Sequence, residues 1–426
     1  MNIKKKDILE LKKRFKKDHC TFTKVCGCYV NGEKNTILKF RETFLNLDED
    51  DYFKYLEIAK KVLSGTVGNN ILELNFEANE EFKSEAQTSL LTLRNSQLKD
   101  DTVLDEFYQS IINNYDYTGN YLILLFHDAY DVITKTKDNQ KIDESEEVYE
   151  YVLCAICPVS LSAPGLRYFE EENEIKSRIR DWVVNVPVNG FVFPAFIDRS
   201  SDVNSVMYYT KNAKDTHPEL MENVLGCPSK QTATIQKEAF QSIIKDSFGA
   251  DEKKAEKIFM DVQENLNAMV EEYNEMYDDT DCEPISLKDT DIQNLLIDSG
   301  IPQEISNDIE KSYVEIFGDD IPLAENLIDA KILKANEQRR KEEDLKKQVK
   351  MLETKLEEVQ KEVAISNKSE ETTENDDDTS EYDVVLQVKP EKVSQIKSQI
   401  IDGQKYLVIP INDDEHTKVN DLDDLI

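Results

Sequence analysis

Three short apolar runs, Tyr121 to Phe126, Tyr151 to Cys157 and Phe191 to Phe196, constrain this chain more than anything else in it. Each has the length of a sheet strand and is rich in Val, Ile, Leu, Phe and Tyr. Turn or polar residues such as Thr118-Gly119-Asn120 and Asn189-Gly190 bound them. They read as neighbouring buried strands, and so as the core of a sheet. A fourth strand is expected at Val206 to Tyr209 and a weaker one within Asn69 to Phe76, with Ile175 to Val184 a connecting helix.

Around this core the apolar period changes from two to between three and four. Tyr52, Leu56, Ala59 and Leu63 form one helical stripe, and Val103, Phe107, Tyr108, Ile111 and Ile112 form another. After Lys211 a polar stretch with Pro218, Gly226 and Pro228 marks a boundary. A helical series follows: Ile235 to Ile244, then Ala255 to Val270 after Gly249, then a helix capped by Ser286, and another after Gly300-Ile301-Pro302. Leu345, Val349, Leu352, Leu356, Val359 and Val363 are spaced four, three, four, three, four. That is a heptad seam of about three repeats, the signature of a helix that supercoils with a partner. Ser366 to Glu381 holds seven acidic residues and no apolar one, which gives a disordered linker. Alternation resumes at Val384, Leu386 and Val388, and residues 400–409 read as a hairpin turning at Asp402-Gly403.

The expected fold is therefore α+β, or mixed α/β, with a central sheet and flanking helices. The expected divisions are an α/β core over 1–210, a helical region over 211–330, a coiled coil over 331–365, an acidic linker over 366–382, and a small β element over 383–426. That last element is too small to stand alone in water and has to dock on the core or on a partner.

The 426 residues carry a formal net charge of -35, which repels nucleic acid and anionic membrane unless basic groups are segregated. One such cluster exists: Lys4, Lys5, Lys6, Lys12, Lys13, Arg14, Lys16 and Lys17 surround Ile8, Leu11 and Phe15 at helical spacing. It is either a solvated helix face or a nucleic-acid contact. No apolar segment approaches the roughly 20 residues of a bilayer span, and none follows the basic start as a secretory signal would require. Seven irregularly placed cysteines fit reduced thiols, and so a cytoplasmic protein.

Candidate chemistry sits beside the apolar runs. His127 and Asp128 follow the first and could serve as a base with its orienter or, with Asp131, as metal ligands, and Asp198, after the third run, is a further candidate. Adjacent strand residues point to opposite faces, however, which works against a shared site. Cys154 and Cys157 form a C-x-x-C inside a strand pattern, where residues three apart also face opposite ways, so ordinary buried thiols are expected. His19, Cys20, Cys26 and Cys28 lack the paired knuckles of a zinc site. No phosphate loop, dinucleotide fingerprint or nucleophile elbow is present, so no cofactor and no metal are expected.

The stretches Cys26-Gly27-Cys28-Tyr29-Val30-Asn31-Gly32, residues 114–121, Ala155-Ile156-Cys157-Pro158-Val159-Ser160 and residues 191–196 resemble an uncharacterised bacterial family known only as a domain of unknown function. The resemblance spans nearly the whole chain and implies a cytoplasmic protein with no assigned activity. The order of elements, with Pro158-Val159-Ser160, Ile285-Ser286-Leu287 and Gly403, is also similar to that of the bacterial nucleoid-associated protein family. Together these readings favour a non-enzymatic, dimeric interaction protein, with DNA or a DNA-bound protein as a further partner. A metal-assisted hydrolase using His127, Asp128 and Asp198, and an acidic DNA mimic, are the alternatives.

Overall fold

The computed structural model describes residues 3–77, 84–135, 141–249, 251–276, 284–318, 320–368, 388, 390–401, 404–410, 418–419 and 422–423, with side chains excepted at 133–135, 141–147, 357–368, 390–392, 401, 418–419 and 422–423. The chain packs as two compact units, Met1–Lys341 and Glu342–Ile426.

The first unit is built on an antiparallel sheet. In chain order its strands are β1 (Lys24–Val30), β2 (Thr36–Thr43), β3 (Ile71–Asn75), β4 (Asn120–Lys135) and β5 (Lys141–Leu161), then a separate hairpin of β6 (Leu166–Phe169) and β7 (Glu174–Ser177). They continue with β8 (Trp182–Val184) and β9 (Asn189–Phe193), a second hairpin of β10 (Ala195–Ile197) and β11 (Ser200–Asp202), and β12 (Ser205–Thr210). The main sheet has the order β2-β1-β4-β5-β9-β12-β3, with β8 paired to β5. The three apolar runs thus lie on adjacent strands, with Ile123 opposite Ile156 and Cys154 opposite Phe191. Pro194 separates β9 from β10, consistent with a residue that has no N–H to give a ladder.

β4 and β5 run well beyond their apolar runs, to 16 and 21 residues. Tyr130, Val132 and Tyr149 keep burying one face after the continuous apolar stretch has ended. Side-chain alternation divides the core in two. Leu122, Leu124 and Phe126 pack with Ile8 and Leu11 of α1 (Lys5–Arg14) and with Leu56 of α2 (Glu49–Val62). Tyr121, Ile123 and Leu125 pack with Leu90 of α3 (Glu85–Asn95) and with Phe107 and Ile111 of α4 (Asp101–Asn114). The result is a sheet with helices on both faces.

Two local expectations are corrected. Residues 175–184 are extended rather than helical: β6 and β7 close around Asn173 in the left-handed conformation at φ 49°, and β-branched Val183 and Val184 extend β5's ladder through β8. Ser286 does not cap a helix. It bridges Leu323, while the helix begins at Asp289 with Asp291 accepting from the Lys288 N–H at 3.1 Å.

A third core joins α5 (Ala233–Asp246), α6 (Glu252–Met276), α7 (Asp289–Asp298), α8 (Gln303–Phe317) and the short α9 (Ala324–Leu327). Gly249 and Gly300, at φ 60° and 73°, end α5 and α7 in the region where glycine is favoured. The heptads lie on α10 (Ala330–Lys368), a helix of 39 residues that extends past the expected coiled-coil limit. In the second unit β13 (Lys397–Ile401) pairs with β14 (Gln404–Val408), Ile401 facing Gln404. Asp402 and Gly403, linker residues 369–382, Val384 and Leu386 lie outside the described residues. Among the described residues no helix is long and apolar enough to cross a membrane.

Candidate functional site

His127 and Asp128 sit near the middle of β4 and are both about 1% exposed. The strand's alternation sends them apart. His127 continues the Tyr121, Ile123, Leu125 face, and Asp128 continues the Leu122, Leu124, Phe126 face. One metal ion or one substrate atom cannot be reached by both.

On its own face His127 is held at both ring nitrogens. Nδ1 is 2.7 Å from the hydroxyl of Thr23, and Nε2 is 3.0 Å from Oε1 of Glu150. Thr23 immediately precedes β1, and its N–H donates to the His127 carbonyl at 2.9 Å. Glu150 comes from β5, where Ala129 is its register partner. A second donor reaches the same carboxylate oxygen: the Gln97 side-chain amide, at 3.3 Å. Gln97 and Leu98 stand at φ 53° and 55°, an unfavourable pair of conformations for non-glycine residues that their contacts must hold in place.

On the opposite face Asp128 accepts from the Tyr151 hydroxyl at 2.8 Å, and its Oδ1 has no hydrogen-bond partner among the described residues. Burial raises its carboxyl above the ordinary value, against the lowering effects of the Thr21 and Tyr151 hydroxyls and the charge of Arg14. Arg14 itself lies over the Tyr130 ring at 4.4 Å and donates to Thr21 at 3.0 Å.

Asp198 belongs to neither group. With Arg199 it forms the left-handed tip of the β10–β11 hairpin, at φ 46° and 66°, and the tip grips α1. Lys6 Nζ is 2.8 Å and Lys4 Nζ 3.9 Å from Asp198, while Arg199 lies 2.6 Å from Glu10. Lys17 pairs with Glu49. Thus Lys4, Lys6, Arg14 and Lys17 all have contacts within the fold, which leaves Lys5, Lys12, Lys13 and Lys16 as the part of the basic cluster with no side-chain ion pair, hydrogen bond or cation–π contact among the described residues.

Among the described cysteines, Cys26, Cys28, Cys154, Cys157 and Cys227 are buried free thiols and Cys20 is partly buried. Cys154 and Cys157 fall in different cores on opposite sheet faces, and burial pushes the Cys157 thiol up to about 12. Cys26 and Cys28 lie in the α3/α4 core, away from the exposed His19. Among the described residues no group of three or more His, Cys, Asp or Glu side chains is arranged to hold a metal ion. A cleft of about 960 Å³ lies elsewhere, along β3, between Ile71, Glu73 and Asn75 on one side and Gln236, Ile285 and Leu323 on the other. Of the candidate catalytic, nucleic-acid-binding and oligomerisation residues read from sequence, only Lys4 lines it.

On α10, Leu345, Val349, Leu352 and Leu356 are 59%, 53%, 65% and 60% exposed. The side chains of Val359 and Val363 lie outside the described part of the helix. Thr23, Glu150 and Gln97 carry no motif. The one sequence signal for Glu150 is a carboxylate set between Tyr149 and Tyr151 at the start of an apolar run.

No curated protein matches the chain, and nothing supports the likeness to the nucleoid-associated family. A family model described as Domain of unknown function (DUF4317) matches residues 1–422, so the chain belongs to that uncharacterised family.

Proposed function

We propose that this chain is a non-enzymatic cytoplasmic assembly protein that works as a homodimer through the heptad seam of α10. The observation that carries the reading is the exposure of Leu345, Val349, Leu352 and Leu356 in one line on a 39-residue helix. A self-complementary stripe of this kind loses its contact with water most simply against a second copy of itself. Counting Leu345 as position d places Val349, Leu356 and Val363 at a, and Leu352 and Val359 at d. β-branched residues at two of the three a positions, with Leu at two of the three d positions, lean towards two parallel strands. Six described cysteines are free thiols, which suits a reducing compartment.

The separation of His127, Asp128 and Asp198 gives a metal-assisted hydrolase little support. The ion pairs of Lys4, Lys6 and Lys17 likewise shrink any DNA-facing patch to Lys5, Lys12, Lys13 and Lys16. Light scattering on the full chain tests the assembly: the mass of two chains, falling to one on dilution, is expected. A single-chain mass at every concentration would remove the proposal. Replacement of Lys5, Lys12, Lys13 and Lys16 by Gln should leave that dimer intact, and an unchanged affinity for duplex DNA would exclude the patch as a nucleic-acid site.

A further inference from the structure

We propose that Thr23 is a base-activated hydroxyl that accepts an acyl group from an activated acyl donor, an ester or thioester, with His127 as its base. In the neutral tautomer that carries its hydrogen on Nε2, His127 donates to Oε1 of Glu150 across 3.0 Å. Nδ1 is then a lone-pair acceptor, and the Thr23 hydroxyl 2.7 Å away is the donor. The His127 backbone oxygen, at 3.3 Å from the same hydroxyl, is the more distant competitor. Hydroxyl, imidazole and carboxylate are therefore linked with the polarity of a nucleophile, its base and the base's orienter.

Accessibility fits the same assignment. Thr23 is exposed, whereas His127 is about 1% exposed and cannot itself be reached. Glu150 is a positioning residue, and it is in turn held by the Gln97 amide from the strained 97–98 turn. In the reaction the Thr23 oxygen attacks the acyl carbon and its proton passes to Nδ1. The bond to the leaving alkoxide or thiolate breaks, and that group takes the proton from His127. The products are an O-acyl threonine and a free alcohol or thiol. Nothing is oxidised or reduced, and the protein is the acceptor of a single acyl group.

The test uses the full chain with p-nitrophenyl acetate, followed by intact mass and peptide mapping. Thr21 is the internal control, because it is also exposed but its hydroxyl accepts from Arg14 at 3.0 Å and is not hydrogen-bonded to a histidine. One acetyl group at Thr23, formed at least about tenfold faster than at Thr21, is expected from general-base assistance. Thr23→Val should abolish it and Thr23→Ser should retain it. Glu150→Gln should slow it about tenfold or more at an unchanged unfolding midpoint, with Glu150→Asp recovering part of the rate. Acetylation confined to lysines, equal labelling of Thr21 and Thr23, or a rate unaffected in folded Glu150→Gln would each overturn the proposal.

Discussion

Leu352→Ala tests the seam where it is most exposed. Leu352 is 65% exposed in the single chain, so about two thirds of its burial is still available to an interface. Full burial of a leucine is worth about 1.5–3 kcal/mol, which leaves roughly 1–2 kcal/mol per copy and ~2–4 kcal/mol for the two copies of a dimer. At about 1.4 kcal/mol per tenfold, losing most of that weakens self-association by roughly 30- to 1,000-fold. Alanine is the best helix former, so α10 itself should persist and circular dichroism should not change. Sedimentation equilibrium over a wide concentration range reads the dissociation constant directly. A dimer of unchanged affinity would show that Leu352 is not in the contact, and with it that the heptad line is a solvated helix face.

Further outcomes follow from the first unit. A Cβ at Gly190 would lie 2.4 Å from the Cys154 backbone oxygen and 3.1 Å from Val62, so Gly190→Ala should destabilise by about 1–3 kcal/mol or more in urea unfolding. Gly165→Ala, with nothing within 4 Å of its Cβ, should stay within ~0.5 kcal/mol. Gln263 is fully buried, donates to the Leu327 carbonyl at 3.0 Å and accepts from the Asp329 N–H at 2.6 Å, so it fixes the turn into α10. Gln263→Ala strands both groups and should cost roughly 2–4 kcal/mol; a loss below ~1 kcal/mol would mean that water replaces the amide. Asp128 has its carboxyl raised from 3.8, chiefly by burial, so above that value the native state keeps a proton the unfolded chain has released. Stability should therefore fall as pH rises from 3.8 through the raised folded value. Asp128→Asn, which cannot ionise, should remove this part of the slope, and superimposable pH profiles of the two proteins would contradict the assignment.

Much of the architecture is legible because it rests on local periodicity. The runs at Tyr121, Tyr151 and Phe191 became adjacent strands, and the stripes of α2, α4, α5, α6 and α8 became helices, because burial of one face needs only neighbours in sequence to alternate correctly. Opposite-face geometry also separated Cys154 from Cys157, and His127 from Asp128, before any coordinates were needed. Where the chain is neither strongly apolar nor clearly periodic, the reading failed. Residues 175–184 became extended because of a left-handed Asn173 and a ladder to β5, both invisible to a helical count.

The amino-acid sequence by itself thus determined the strand core, the helical series and the heptad line, since each is a pattern along one dimension. Only the tertiary structure decided what the polar residues do. Thr23 and Glu150 are separated from His127 by 104 and 23 positions, and they meet it because β1 and β5 flank β4 in antiparallel register, while Gln97 reaches Glu150 from the turn between α3 and α4. Asp198 and the basic helix, read as parts of different sites, are drawn together by the β10–β11 turn. Hydrogen bonds and ion pairs act over a few ångströms in space, whereas their partners here are set by strand pairing between distant segments, so composition and spacing carry almost no trace of them.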